Sequence, residues 1–321
     1  MRIISAEQVK SALPWGRLEA ALEAMFRQGC EAPLRHRHPL PQGDGPEGML
    51  LLMPAWTGSS GTESSGTDAG KGYTGVKIVH VLPGNGGRGI PAVQAAYLLS
   101  DGQTGVPLAI IDGGELTDRR TAAASTLAGR YLARPDSRRL LVLGAGRVAT
   151  ALAEAWCDRF PIDDLAIWSR NPANAASLAQ RLAAHGLPAR ATESANPAGF
   201  DIVSAATLST TPLVRGAEVD PGTHIDLVGA FRPTMRESDA ALIARATLVV
   251  DTRPGGLAEA GDVVQAIAEG AITETHVAAD LAALTRGQHP GRTSAGEVTV
   301  FKSVGWAGED LAGAVLAYER T

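Results

Sequence analysis

Between residues 140 and 251 the chain repeats one pattern: a short, nearly continuous apolar run, then a longer stretch with apolar positions three and four apart. Strands are read at 140–143, 165–169, 189–192, 201–206, 224–228 and 248–251. Residues 148–159 and 172–185 are the plainest amphipathic stretches between them. Fully apolar strands alternating with helices are the sequence form of a doubly wound parallel sheet, because such strands are covered on both faces. The first part of the chain reads differently. Residues 75–82 alternate well enough for a strand, 48–55, 92–100 and 107–112 also read as strands, and Asp101-Gly102-Gln103-Thr104-Gly105 supplies hairpin chemistry between the last two. Ser5 predicts a helix cap before Ala6, and residues 18–29 place Leu18, Leu22, Met25 and Phe26 on one helical face. Residues 83–89 read as a glycine-rich turn. Thr117 reads as the cap of a long helix over 118–133. After the parallel unit, helices are expected over 260–270 and 275–284, then a strand over 298–304 and a helix over 308–320. The fold class is α/β, a Rossmann-type sheet plus a second α/β domain.

Length and composition narrow the classes. A chain of 321 residues exceeds one ordinary core, so two domains are expected. With 45% hydrophobic and 20% charged residues it has the balance of a globular protein. A net charge of −5 provides no basic field for nucleic acid or a membrane surface. The longest apolar run, 49–56, is far short of the roughly 20 residues of a membrane helix. No signal-peptide core opens the chain, and Cys30 and Cys157 lack ligand-like spacing. Reduced thiols, no disulfide, no metal site and a cytoplasmic location are therefore expected. Residues 57–72, poor in apolar groups and rich in Gly and Ser, read as a flexible loop.

The chemistry gathers where the first apolar run breaks into Gly144-Ala145-Gly146-Arg147-Val148-Ala149. Gly144 permits a sharp turn, Gly146 lets a pyrophosphate approach the backbone amides, and Ala149 lets the new helix pack closely on the strand. The next strand closes on Trp168-Ser169-Arg170-Asn171, without the carboxylate that usually holds an NAD ribose. Arg170 suits a 2′-phosphate, so NADP(H) is the preferred cofactor, with NAD(H) as the other candidate. Ala206-Thr207 and Gly229-Ala230, at later strand ends, are expected to face it. Arg119 and Arg120 near a helix N-terminus call for a nearby anion. Composition leaves residues 33–39, basic and extended, open to a solvated loop or a binding segment, and Lys77 open to a snorkelling or a functional role.

Several elements together resemble the ornithine cyclodeaminase/mu-crystallin family over nearly the whole chain. They are Met53-Pro54-Ala55, Gly75-Val76-Lys77, Leu116-Thr117-Asp118-Arg119-Arg120-Thr121-Ala122-Ala123, Gly144-Ala145-Gly146 and Val300-Phe301-Lys302-Ser303-Val304-Gly305. The resemblance implies a discontinuous substrate-binding and dimerisation domain, 1–120 with 301–321, and a nucleotide domain, 121–300, with the active site in the cleft. It implies that Arg35, Lys77 and Arg120 hold a substrate carboxylate, with Lys77 also the catalytic candidate. On this reading the cofactor site comprises Thr121, Gly144, Ala145, Gly146, Arg147, Val148, Ser169, Arg170, Asn171, Ala206, Thr207, Val228, Gly229 and Ser303. Cyclodeaminases of the family carry an Asp after the fifth strand; here Phe231 stands at that position, in Gly229-Ala230-Phe231-Arg232-Pro233. A phenyl ring neither takes a proton nor pairs with an ammonium, and the loop is closer to that of the imine-reducing members. The expected activity is NAD(P)H-dependent reduction of a small cyclic imino acid to proline or pipecolate by a homodimer. Ornithine cyclodeamination, and nucleotide-gated binding of a small molecule as in mu-crystallin, are the alternatives.

Overall fold

A computed structural model describes residues 1–43, 45–58 and 72–321. All but the ends of the expected loop at 57–72 lie outside the described residues. The chain divides into two compact units, Met1–Arg120 with Trp306–Thr321, and Thr121–Gly305.

The strands of the first unit are β1 (Arg2–Ile4), β2 (His36–Leu40), β3 (Gly48–Trp56), β4 (Tyr73–Val81), β5 (Val93–Asp101) and β6 (Pro107–Asp112), in the order β1-β6-β5-β4-β3-β2. β1 runs parallel to β6 and all other pairs are antiparallel. The hairpin between β5 and β6 forms as its residues dictate. The Asp101 carboxylate accepts from the Gln103 and Thr104 amides, and Gly105 takes a left-handed φ of +71°. One sheet face is buried, with Met53, Ala55, Lys77, Val79, Tyr97, Leu99, Ala109 and Ile111 turned inward. The helices of the unit are α1 (Ala6–Ala12) and α2 (Trp15–Gln28), with a later one from the chain's other end. Ser5 and Gln8 close a reciprocal capping box on α1. α2 buries Leu18, Leu22 and Phe26. Residues 83–89, expected as a turn, contain a one-to-two-turn 3-10 helix over Pro83–Arg88.

The long helix α3 starts at Gly113, five residues before its expected start, and runs to Leu132. Asp112, on the last strand residue, accepts from the Glu115 amide at 2.7 Å and is the actual cap. Thr117 lies inside the helix, its hydroxyl turned back onto the Gly113 carbonyl. Arg119 and Arg120 therefore sit in the second turn, where the helix dipole has faded, and the anions near them have another source.

The second unit contains β7 (Arg139–Leu143), α4 (Arg147–Arg159), β8 (Asp164–Trp168), α5 (Pro172–Ala184), β9 (Ala189–Ala191), β10 (Ile202–Ala205), β11 (His224–Leu227), α6 (Ala240–Arg245), β12 (Thr247–Val250), α7 (Arg253–Ala258), α8 (Gly261–Ala268), β13 (Val277–Asp280), α9 (Leu281–Thr285) and β14 (Thr299–Lys302). The wholly parallel sheet has the order β13-β12-β14-β11-β10-β7-β8-β9. β7 lies between β8 and β10, so the chain switches direction across the sheet beside the Gly144 turn.

Two expectations are corrected here. Residues 275–284 are not one helix: β13 occupies Val277–Asp280, and Asp280 then caps the short α9. β14 inserts between β11 and β12, so residues 301–305 belong to the second unit and the return to the first begins at Trp306. The last helix, α10 (Ala307–Arg320), packs on α2 and on β3 and β4. Phe26 and Trp306 meet there at 4.9 Å between ring centroids.

Candidate active site

The inward face of the first unit carries charge where a core would ordinarily be apolar. Lys77 extends from the middle of β4 and is buried; its Nζ donates to Asp310 at 2.7 Å. Arg120, also buried, donates from Nε to Asp310 at 2.8 Å and from Nη1 to Glu309 at 2.7 Å. Glu309 and Asp310 lie fully buried in the first turn of α10, where the helix dipole favours acids. Two cations thus meet two anions. Removing lone charges from water would cost several kcal/mol each, and close pairing offsets much of that cost.

The pairing also sets proton affinities. Burial, reinforced by the neighbouring Arg120, pulls the Lys77 ammonium down to about 8, although Asp310 holds it up. Arg35, half-buried just before β2, is close enough for its charge to act in the same direction as Arg120. Burial opposes the Arg120 charge, but Asp310 and Glu309 outweigh it and hold the guanidinium above its ordinary value. Asp310 is likewise held below the usual carboxyl range: Arg120 and Lys77 overcome its burial. Tyr97, paired with Lys77 across β4 and β5, buries its phenol without a hydrogen-bond partner. The phenol lies over Gly75, where any side chain would collide with it. That accounts for the glycine two residues before Lys77.

The structure thus joins Lys77 and Arg120 through Asp310, with Arg35 near enough for its charge to act on Lys77. Glu309 and Asp310 went unread, since acids opening a helix are ordinary; the signal was two buried-strand and helix cations with no stated counter-charge. Arg119 serves otherwise. It donates to the Leu13 carbonyl at 2.9 Å and stacks 3.9 Å from the Trp15 ring centroid.

The second unit offers a nucleotide cradle. Gly144 adopts a φ of +128°, and a methyl group there would lie 2.7 Å from the Ala206 carbonyl oxygen. A side chain at Gly146 would meet nothing within 4 Å, so the backbone is approachable from outside. Gly146 is the N-cap of α4 and no side chain caps the helix there. Open glycine backbone at an uncapped helix start is the donor set that a pyrophosphate requires. These residues fit a dinucleotide, with Ala145, Arg147 and Val148 completing the turn.

At the end of β8, Ser169 is half-buried and Arg170 exposed. Asn171 spends its side-chain oxygen capping α5 through the Ala173 amide. Thr121, the first residue of the unit, is buried in α3. Ala206 and Thr207 follow β10, and Val228 and Gly229 follow β11. The Thr207 hydroxyl and amide and the Gly229 amide all donate to one buried carboxylate, Glu237. Ser303 is buried, with its hydroxyl on Asp251, which also accepts the Val304 and Gly305 amides. Its side chain holds that turn. Phe231 is half-buried against the apolar core of the unit, with the Arg232 guanidinium 5.8 Å from its ring. Among the described residues no cluster of acidic, His or Cys side chains could hold a metal ion, and no helix is long and apolar enough to cross a membrane.

The model of the ornithine cyclodeaminase/mu-crystallin family matches residues 2–321. The chain belongs to that family. Among its relatives is the Delta(1)-pyrroline-2-carboxylate reductase of Paracoccus denitrificans, 41% identical over 89% of this chain and 90% of that protein. The ketimine reductase mu-crystallin of Rattus norvegicus is 33% identical over 98% and 96% of the two chains. The solved structure of Thermococcus litoralis Delta(1)-pyrroline-2-carboxylate reductase with NADH and L-proline superposes with a TM-score of 0.91, at 34% identity, covering 100% of this chain and 97% of that one. This family member has the mixed α/β architecture and Rossmann-like sheet of those enzymes.

Proposed function

We propose that this family member is an NAD(P)H-dependent reductase of small cyclic imino acids, of the pyrroline- or piperideine-2-carboxylate type, giving L-proline or L-pipecolate. The observation that carries this reading is the buried Lys77–Arg120 pair on Asp310 and Glu309. The two acids fix both cations in place, and the unused N–H groups of the guanidinium fork suit a substrate carboxylate. Arg35, whose charge also acts on Lys77, stands beside them. Bound NAD(P)H supplies the hydride for the imine carbon. The imine nitrogen must gain a proton as the C=N bond becomes CH–NH, and Lys77, its ammonium pulled down to about 8, serves as the donor.

Cyclodeamination fits less well. It needs a site for an ammonium side chain and a base, whereas the loop after β11 presents a phenyl ring and a guanidinium. For the cofactor we favour NADP(H), because Arg170 stands exposed at the end of β8 with no carboxylate among its immediate neighbours. The active form is a homodimer joined through the outer sheet face, where Ile3, Ile110, Leu98, Val76 and Pro54 line up across five strands. Ile3 is 78% exposed and Ile110 38%, with Trp56, 41% exposed, on the same face. Cys30 and Cys157 are free thiols whose affinity burial pushes up to about 12, in keeping with a cytoplasmic, reducing location.

The deciding experiment follows NADPH and NADH oxidation with five- and six-membered cyclic imino acids, with L-ornithine plus NAD⁺ assayed alongside for ammonia. Turnover of a cyclic imine, with no ammonia from ornithine, is expected. NADPH should bind more tightly than NADH, and Arg170→Ala should narrow that difference. Ammonia and proline in equal amounts from ornithine would reverse the assignment.

A further inference from the structure

Glu237 lies on no strand or helix, yet it is fully buried behind the ends of the central strands. Its Oε1 accepts from the Thr207 amide at 2.6 Å and the Thr207 hydroxyl at 2.8 Å. Its Oε2 accepts from the Gly229 amide at 2.7 Å and the Ala230 amide at 3.3 Å. Four donors from two loops thus converge on one carboxylate, which has the acceptor capacity for all of them. The loops touch directly as well: a side chain at Gly229 would collide with the Thr207 backbone.

The post is itself anchored. The Glu237 amide donates to Asp262 at 2.8 Å, as do the amide and hydroxyl of Ser238 at 2.7 and 3.0 Å. The Glu237 carbonyl accepts from Leu213 and Val214. Behind Asp262, on α8, stands the buried ammonium of Lys302, 3.1 Å away at the end of β14. Ala205, Leu227 and Lys302 are in register, so this network lies under the carboxyl ends of three adjacent strands.

Those strands lie on a definite side of the sheet. The pyrophosphate turn follows β7, and the ribose-reading residues follow β8 on one side of it. A dinucleotide crossing the switch point therefore extends its other half over β10 and β11. We infer that Glu237 is a positioning residue for the nicotinamide half of the cofactor, clamping the 206–207 and 229–230 loops into one platform. The inference rests on the nucleotide-binding reading of this edge and is separable from it.

Glu237→Gln keeps the shape but turns an amide NH₂ toward donors, so it cannot accept all four bonds. Affinities for NADPH and for 2′,5′-ADP, which lacks the nicotinamide half, are measured by titration alongside the NADH and 5′-ADP pair. NADPH affinity should fall tenfold or more, 2′,5′-ADP affinity should stay within about twofold, and kcat should fall. Equal loss of both ligands would mean a general collapse of the unit, and no loss of either would mean that the loops hold themselves; each result overturns the inference. Should Glu237→Gln not fold, Thr207→Val removes a single donor. It should give a smaller loss with the same split, and an unchanged NADPH to 2′,5′-ADP ratio overturns the inference equally. A parent protein that binds no nucleotide at all refutes the underlying reading. If it binds only NADH and 5′-ADP, the 2′-phosphate assignment fails while the Glu237 test runs on that pair.

Discussion

A lysine ammonium that loses its proton near pH 8 can give it to a substrate at neutral pH, and Lys77 reaches that state through burial and Arg120, restrained by Asp310. Asp310→Asn removes the restraint and leaves the guanidinium. The Lys77 affinity then falls further, so the alkaline limb of the kcat/KM profile, expected near pH 8 in the parent, should move about one pH unit lower. Because the bond to Arg120 also suffers, roughly 3–5 kcal/mol of stability is at risk. A pH-rate profile separates the two effects: an unmoved limb with a lowered Tm would make Asp310 a fold-holding acid only. At this scale the sequence disclosed the cations but not their partners. Lys77 and Arg120 sit in recognisable motifs, whereas the anion expected beside Arg119 and Arg120 rested on a helix start that lies five residues earlier. The acids that Arg120 meets, Glu309 and Asp310, are almost 190 residues away, where nothing local distinguishes them from routine helix-opening acids.

Elements repeat the lesson with geometry in place of charge. β11 carries Asp226 fully buried, taking the Ser204 hydroxyl at 2.5 Å and the Ser125 hydroxyl at 2.9 Å. Burial pushes this carboxyl up to about 6 from 3.8 in spite of those donors. Between these values the folded chain holds a proton that the unfolded chain has lost. The group therefore favours folding most at low pH, and its contribution declines as pH rises through about 4 to 6 and is level beyond. Asp226→Asn has no such dependence and keeps an oxygen and an amide for the two serines. It should be more stable than the parent at pH 7.5 by up to roughly 3 kcal/mol, with the difference shrinking at pH 4.5, as read by urea denaturation at both pH values. Of the six strands at 140–251, β7, β8 and β12 were legible because both-face burial leaves nearly unbroken apolar runs, whereas β9, Ala189-Arg190-Ala191, is mostly exposed and was legible only from the alternation of strands and helices. β13 was not, since Val277-Ala278-Ala279-Asp280 is short, alanine-rich and as compatible with a helix. β14 was legible as a strand but misplaced in its sheet, because chain order does not say between which earlier strands a late one inserts.

For the whole molecule, the uncovered face of the first sheet predicts the assembly. Ile110→Asp places a charge in the middle of the apolar row without touching the buried face, where Ala109 and Ile111 point inward. The parent should run in light scattering at about twice its 33.2 kDa chain mass, and the variant as a single chain with unchanged far-UV circular dichroism. A parent already monomeric would remove the dimer. The discontinuous division came from the family resemblance, and the second boundary between the compact units falls at 306 and not 301. The chain's path has a consequence for its synthesis. Lys77 and Arg120 leave the ribosome 233 and 190 residues ahead of Asp310, a wait of roughly 10–50 s at ordinary elongation rates. Throughout that interval both cations lack the acids that compensate them and remain more favourable in water than in a core. The intervening Thr121–Gly305 segment has all its own strands by then. The first unit is therefore the last to close, and a nascent chain completes this buried ion-pair cluster only when residue 310 arrives.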